Sequence, residues 1–244
     1  MCLVDLNIRY MIDTFFLALT GVPVTLSITA VALLVSAPIA FFMAISRIYN
    51  IRIVKQVVSA YVSFIRGTPV VLQILIIYSL LPSWLNAMIK SLSWDINIFD
   101  MNPVIYAYIV FSLNTCAGLS EIFRSALLTV NKGQLEAALS IGMSAVQAYT
   151  RIIIPQAMVS ALPNICNLTI NLIKGTSLAF MMTVKEVTSI AKIAASYGYN
   201  YIESYLDILI IYILLCSVIQ ALFALVEKRI GSYKTLTGSA AKAV

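Results

Sequence analysis

The 33 residues between Asp13 and Arg47 carry no charged side chain. A bilayer hydrocarbon core of ~30 Å is crossed by about 20 helical residues at 1.5 Å each, so this run alone is long enough to span. Four more runs follow. There are 23 uncharged residues between Arg66 and Lys90, 20 between Asp100 and Glu121, 22 between Arg151 and Lys174, and 19 between Asp207 and Glu227. The runs lack the strict alternation of a barrel strand, so helices are the expected state. The expectation is an all-α membrane protein, one transmembrane domain over 1–244, with spans at about 14–46, 57–81, 102–124, 157–181 and 205–229. The second starts early because its apolar pattern extends back to Val57. The segment 175–184 is too short to span and too apolar for an ordinary loop; it extends the fourth helix or lies at the interface.

Composition agrees. The chain is 61% hydrophobic and 11% charged, against roughly 25% charged in a soluble domain. That much apolar surface cannot be hidden in a globule of 244 residues. The absence of histidine excludes imidazole-ligated haem or zinc and His-based catalysis. Cys2, Cys116, Cys166 and Cys216 form no CxxC pair and read as small hydrophobes, with no metal expected. The first apolar run exceeds the ~7–15 residues of a signal-peptide core.

The net charge of +6 fits basic cytoplasmic loops facing anionic lipid and points to no nucleic-acid partner. With five spans the termini lie on opposite sides. An inside C-terminus puts ten Lys/Arg inside, from Arg47, Arg52 and Lys55 through Arg124, Lys132 and Arg151 to Lys242, against five outside. The N-terminus is therefore expected outside, the C-terminus and residues 124–151 in the cytoplasm.

The fourth run is different. At 100° per residue, Asn164, Asn167, Asn171 and Gly175 fall within an arc of about 80°. One polar face on an apolar helix turns toward protein or water. It serves either as interhelical glue or as a solute pathway, and periodicity does not choose between them.

Residues 129–155 join the third and fourth spans. Leu135, Ala138, Leu139, Met143 and Val146 form a helical stripe, with Gly142 on it as a break or close approach. The polar side carries Glu136 and Gln147 and little positive charge, which favours docking on a protein over lying on anionic lipid.

Here the text resembles a known family. Glu136-Ala137-Ala138, three residues, Gly142, nine residues, Ile152, one residue and Ile154-Pro155 match the EAA loop of ABC importer permeases, with Ile154 for the usual Leu. Arg66-Gly67-Thr68-Pro69 with Gln73, Ser120-Glu121-Ile122-Phe123-Arg124, Lys132-Gly133-Gln134, Pro155-Gln156-Ala157, Ala161-Leu162-Pro163 and Lys174-Gly175-Thr176-Ser177-Leu178 resemble elements of the polar amino acid permeases, over about residues 10–230.

The resemblance implies the type I importer permease fold, a multi-pass subunit of the bacterial inner membrane. It implies a second permease subunit, here expected to be an identical copy, two ABC ATPase subunits and an extracytoplasmic amino-acid-binding protein. The EAA helix becomes the coupling helix, carried by Glu136, Ala137, Ala138, Gly142 and Pro155. The expected substrate path is Asn164, Asn167, Asn171, Gly175, Thr176, Ser177, Gln73 and Glu121. Gln73 serves equally as helix glue, and Glu121 with Arg124 reads equally as an i,i+3 pair fixing a helix end.

No phosphate-cradling G-x-x-x-x-G-K-[ST] occurs. The chain is thus expected to be non-catalytic and to hold no cofactor, with ATP and magnesium on the partner ATPase. Lys185, Glu186, Lys192, Glu203 and Asp207 read either as a solvated outer loop or as contacts for the binding protein. Tyr197, Tyr199 and Tyr201 fit an interfacial belt or a binding role, and residues 235–244 are expected to be disordered. Glycine where relatives carry K-D-T-S-L removes a carboxylate from the polar arc, which points to a neutral polar amino acid, with cystine first. The alternative, a self-sufficient secondary transporter or channel, expects internal repeats and leaves the EAA loop unexplained. A structural subunit of a redox complex is disfavoured by the lack of histidine and of paired cysteines.

Overall fold

Proline and turn residues cut the apolar runs more often than charge spacing suggests. The computed structural model describes the backbone of residues 6–92 and 98–240, and side chains up to residue 230. Asn7 caps the first helix, its side chain accepting from the Tyr10 N–H; α1 (Ile8–Leu19) runs to a break at Thr20-Gly21, and Pro23 sits in the first turn of α2 (Val22–Ile48). The span expected at 14–46 is thus two helices within Ile8–Ile48.

The span expected at 57–81 is not one helix. Thr68 and Pro69 are extended and separate α3 (Arg52–Gly67) from α4 (Val70–Ser91). The physical cause is Pro69, which pushes the residue before it out of the helical region. Of the two, α4 is long and apolar enough to cross a membrane.

Asn102 caps α5 (Pro103–Leu128), which follows a single 3-10 turn (Ile98–Asp100). Next comes an elbow: α6 (Lys132–Ser140), the short α7 (Ala145–Ala148) and a π-helical turn (Tyr149–Ile153), leading into α8 (Ile154–Gly175). The wide turn is where Pro155 enters: proline has no N–H to give and its ring clashes with the carbonyl four residues back, which a π turn relieves. The 3-10 turn Thr176–Met182 prolongs α8, so the short apolar segment extends the fourth helix. Two helices remain, α9 (Val187–Gly198) and α10 (Tyr201–Ala240). Residues 235–240, expected to be disordered, continue α10; 241–244 lie outside the described residues, as do Cys2, Asp5 and Asp95. Among the described residues, five helical stretches are long and apolar enough to cross a bilayer.

α5 is the hub. It packs along α2 and against α3, α4 and α8. Ser36 donates to the Ser112 carbonyl at 2.7 Å and Tyr61 to that of Leu113 at 2.6 Å, which holds α2 and α3 to it. Near the elbow, Phe41 meets Phe123 edge-on and Tyr49 meets Tyr149, tying the end of α2 to the π turn. At the far end, α1, α9 and α10 share a separate core of Ala18, Val187, Ala191 and Ile211. Gly21 closes this joint. A Cβ there would lie 2.5 Å from the Val187 nitrogen and 2.6 Å from the Glu186 carbonyl carbon, so only glycine allows the approach.

Candidate functional site

The elbow is built from caps. Asn131 starts α6, its side chain accepting from the Gly133 N–H at 2.9 Å. Ser144 and Gln147 form a reciprocal capping box on α7. Between them Gly142 has φ +84°, which a residue with a side chain rarely adopts. The expected stripe is therefore divided. Ala138 and Ala148 are buried against the bundle, whereas Leu139, Ile141 (79% exposed) and Val146 (72% exposed) stand out on either side of the bend. Glu136 and Ala137 are exposed beside them. Glu136 also borders a shallow cavity of about 280 Å³ with Lys132, Leu135, Tyr49 and Tyr149. Ile141 was not among the expected residues; its signal is a bulky apolar side chain next to a left-handed glycine.

The asparagine arc is a true surface of α8. Asn164, Asn167 and Asn171 are all exposed, and Lys174 follows on the same side. The next expected path residues lie deeper in the bundle. Thr176 is fully buried and donates to the Ile173 carbonyl at 2.7 Å. Gly175 packs against Phe111, whose ring lies 3.8 Å from where a Cβ would sit, and Ser177 is half-buried.

Gln73 is buried at the α3–α4 break. Its amide donates to the Ile65 carbonyl at 2.8 Å and to Thr68, and its oxygen accepts from Asn114. This is the helix-glue alternative, and it explains why Gln follows the Arg-Gly-Thr-Pro text by four residues. Glu121 is gripped by Arg47 and by Arg124, the latter at 2.9 Å. The i,i+3 pair with Arg124 is present; the Arg47 bond across from α2 was not legible, because no local spacing encodes it.

At the far end the structure corrects the solvated-loop expectation. Glu186, Glu203 and Asp207 are buried. Glu186 caps α9, accepting from the Thr188 and Ser189 N–H groups at 2.8 and 2.7 Å and from the Tyr212 hydroxyl at 3.1 Å. Burial is the largest influence on it and raises its pKa to about 7 against these donors. Glu203 accepts from the Asn7 N–H, tying α1 to α10. Asp207 keeps one buried oxygen with no hydrogen-bond partner among the described residues. Among the described residues no group of three or more His, Cys, Asp and Glu could hold a metal ion.

Residues 36–232 match the family described as binding-protein-dependent transport system inner membrane component. The chain belongs to that family. This inner membrane component is 37% identical over 232 residues to the L-cystine transport system permease protein TcyL of Bacillus subtilis (strain 168), an alignment covering 95% of this chain and 93% of that one. It is 38% identical over 218 residues to the probable amino-acid permease protein YxeN of the same organism, covering 88% and 93%. Among solved structures, an amino acid ABC transporter matches with TM-score 0.75 at 29% identity, over 93% of this chain and 100% of that chain. The resemblance to polar amino acid ABC permeases read from the sequence is borne out, as is a multi-pass protein of the bacterial inner membrane.

Proposed function

We propose that this permease forms the membrane path of an ATP-driven importer for a neutral polar amino acid, with cystine first among them. The carrying observation is the elbow: an exposed apolar crest of Leu139, Ile141 and Val146 bent around Gly142, with Glu136 beside it. Leaving such a crest in water is unfavourable, and a groove on a partner protein relieves it. The partner is a separate ATPase, which binds the ATP and magnesium this chain has no loop to hold. Two ATPases and two copies of the permease make the symmetric assembly, with an extracytoplasmic binding protein on the other side. The chain itself is non-catalytic.

The Lys/Arg distribution supports an outside N-terminus and a cytoplasmic elbow and C-terminus. In the path, Asn164, Asn167 and Asn171 offer amide donors and acceptors to a solute that must exchange water for partners. Cystine draws its support from the relative named for it and from Gly175, which leaves the arc without a carboxylate. Closure of the ATPase dimer moves the two elbows together and favours the outward-facing packing; hydrolysis releases them.

The test is co-purification of the tagged permease with an ATPase, followed by ATPase measurement with binding protein loaded with cystine, glutamine, glutamate, lysine or arginine. Absence of any ATPase partner sinks the coupling reading, and stimulation by lysine or arginine alone sinks the substrate reading. Cysteine placed at 132 should be labelled only from the cytoplasm.

A further inference from the structure

A cavity of about 600 Å³ opens between α2, α3 and α5. None of its lining comes from α8, so it is separate from the asparagine face. Its walls run from Val31 to Met43 on α2 and from Ile105 to Cys116 on α5. α3 joins at the Met43–Cys116 end, where Val58 shares a core with both. The helical steps from Val31 to Met43 add up to roughly 18 Å at 1.5 Å each, close to the ~15 Å depth of one leaflet in a ~30 Å hydrocarbon core. That volume over that length is a slot of roughly 33 Å² in section, less than half the ~80 Å² of a helix about 10 Å across. A helix of another subunit does not fit into it, whereas a hydrocarbon chain does.

The slot asks for nothing polar. Ser36, Tyr61 and Tyr108 border it, and each hydroxyl donates inside the bundle: to the Ser112 carbonyl at 2.7 Å, the Leu113 carbonyl at 2.6 Å and the Ser27 hydroxyl at 3.2 Å. What remains is mostly aliphatic, and Val35, Ile39 and Val57 stand exposed at its open side. The two ends differ in charge. Past Met43 on α2 comes Arg47, and before Val57 on α3 come Arg52 and Lys55, with no acid anywhere between residues 14 and 94. Arg47 is engaged by Glu121. Arg52 and Lys55 are exposed, the Lys55 ammonium 2.8 Å from the Asn50 side-chain oxygen. At the other end, the charge nearest to Ile105 in sequence is an acid, Asp100. We infer that the slot binds one anionic phospholipid of the cytoplasmic leaflet, an acyl chain lying along α2 and α5 and the phosphate directed to Arg52 and Lys55. The choice of leaflet rests on the orientation proposed above. Bound there, the lipid fills the gap between α3 and the α2–α5 pair and fixes α3 more firmly.

The experiment uses the purified transporter and two phospholipids with matched chains, phosphatidylglycerol and phosphatidylcholine. Native mass spectrometry counts the lipid retained, and thermal unfolding reads the stabilisation each lipid gives. Wild type should retain phosphatidylglycerol about tenfold better than phosphatidylcholine and gain the larger rise in Tm from it. Ile39→Trp fills the slot from its exposed side. It should leave the Tm without added lipid unchanged and lower retention of both lipids about tenfold. Arg52→Glu with Lys55→Glu should erase the preference for phosphatidylglycerol while phosphatidylcholine is retained as before. Equal retention of the two lipids by wild type overturns the inference, and so does undiminished retention by Ile39→Trp. A disulfide between two permease copies in Ile39→Cys, not formed by wild type, overturns it as well, because the slot would then face a second copy. Labelling of Lys55→Cys from outside alone refutes the orientation and the leaflet, and is read separately from retention.

Discussion

Gly21→Ala is the sharpest single test of the far-end joint. The new Cβ would fall 2.5 Å from the Val187 nitrogen, 2.6 Å from the Glu186 carbonyl carbon and 2.9 Å from the Val187 Cα. Carbon contacts relax at about 3.5–4.0 Å, so roughly 1 Å of separation is required. All three atoms are backbone, and no side chain can rotate out of the way. The same movement pulls at the start of α9, where Glu186 holds the Thr188 and Ser189 N–H groups. Overpacking of a tight site costs about 1–3 kcal/mol, and the upper end applies because both partners are main chain. For a chain of this length about 3 kcal/mol corresponds to a loss of roughly 6–12 °C in Tm. Thermal unfolding of the purified permease, followed by circular dichroism, measures it. Gly67→Ala is the control, since nothing lies within 4 Å of its Cβ position, and helix propensity predicts no loss there. Equal Tm values for Gly21→Ala and the wild type would refute the close approach.

Glu136→Arg or Gly142→Leu should leave the bundle inserted but abolish solute-dependent ATPase activity in the complex; the second forces leucine into φ +84°, and full stimulation in both would remove the elbow from coupling. Because the pKa of Glu186 is raised to about 7 from an unfolded value near 4.3, its carboxyl favours the folded state below the unfolded value, and that contribution fades as pH rises through 7. The far-end joint should therefore exchange amide hydrogens more slowly at pH 5 than at pH 8 after correction for intrinsic rates, and Glu186→Gln should flatten the difference. Gly175→Asp meets only ordinary contact with Phe111, so it should fold and move substrate-stimulated ATPase from cystine toward lysine or arginine; an unmoved preference would detach position 175 from selectivity.

What the sequence made legible was whatever has a period or a local spacing. The five crossing stretches, the elbow and the Asn164–Asn167–Asn171 face all follow from charge gaps or from 100° per residue. The α3–α4 break was also written locally, in Thr68-Pro69, but hydropathy averaging runs across it because Val70 resumes the apolar pattern at once. The burial of Glu186, Glu203 and Asp207 was not legible. Three acids near tyrosines and lysines look like a wet loop, and only the packing of α1 against α9 and α10 takes them out of water. Arg47 reaching Glu121 and Asn114 reaching Gln73 failed for the same reason: each joins helices far apart in sequence, and neither spacing repeats. A polar residue in an apolar helix satisfies both readings, glue and path, until its partners are seen. Gln73 and Thr176 have theirs inside the protein; the three asparagines face out.

The same partners determine how a push at the elbow travels. The elbow joins α5 through three residues, 129–131, and α8 through the π turn, so it has two stiff covalent routes into the bundle. At that end Ala44, Ala126, Leu127, Ile153, Ala157 and Ala161 form one core, and Arg47 and Arg124 both hold Glu121. Small residues at this core let α2, α5 and α8 approach closely, which makes them a unit that moves together more readily than it deforms. The joint of α1, α9 and α10 has its own core and meets that unit where Gly21 touches residues 186–187 and where α10 lies along α8. In the proposed coupling, a displaced elbow is expected to act on the far end by tilting one packed group against another, with the breaks at Gly21 and Thr68-Pro69 as the places where the backbone bends. The asparagine face rides on α8, which packs with the elbow's own core, so the proposed ATPase, in shifting the elbow, is expected to shift the polar face with it.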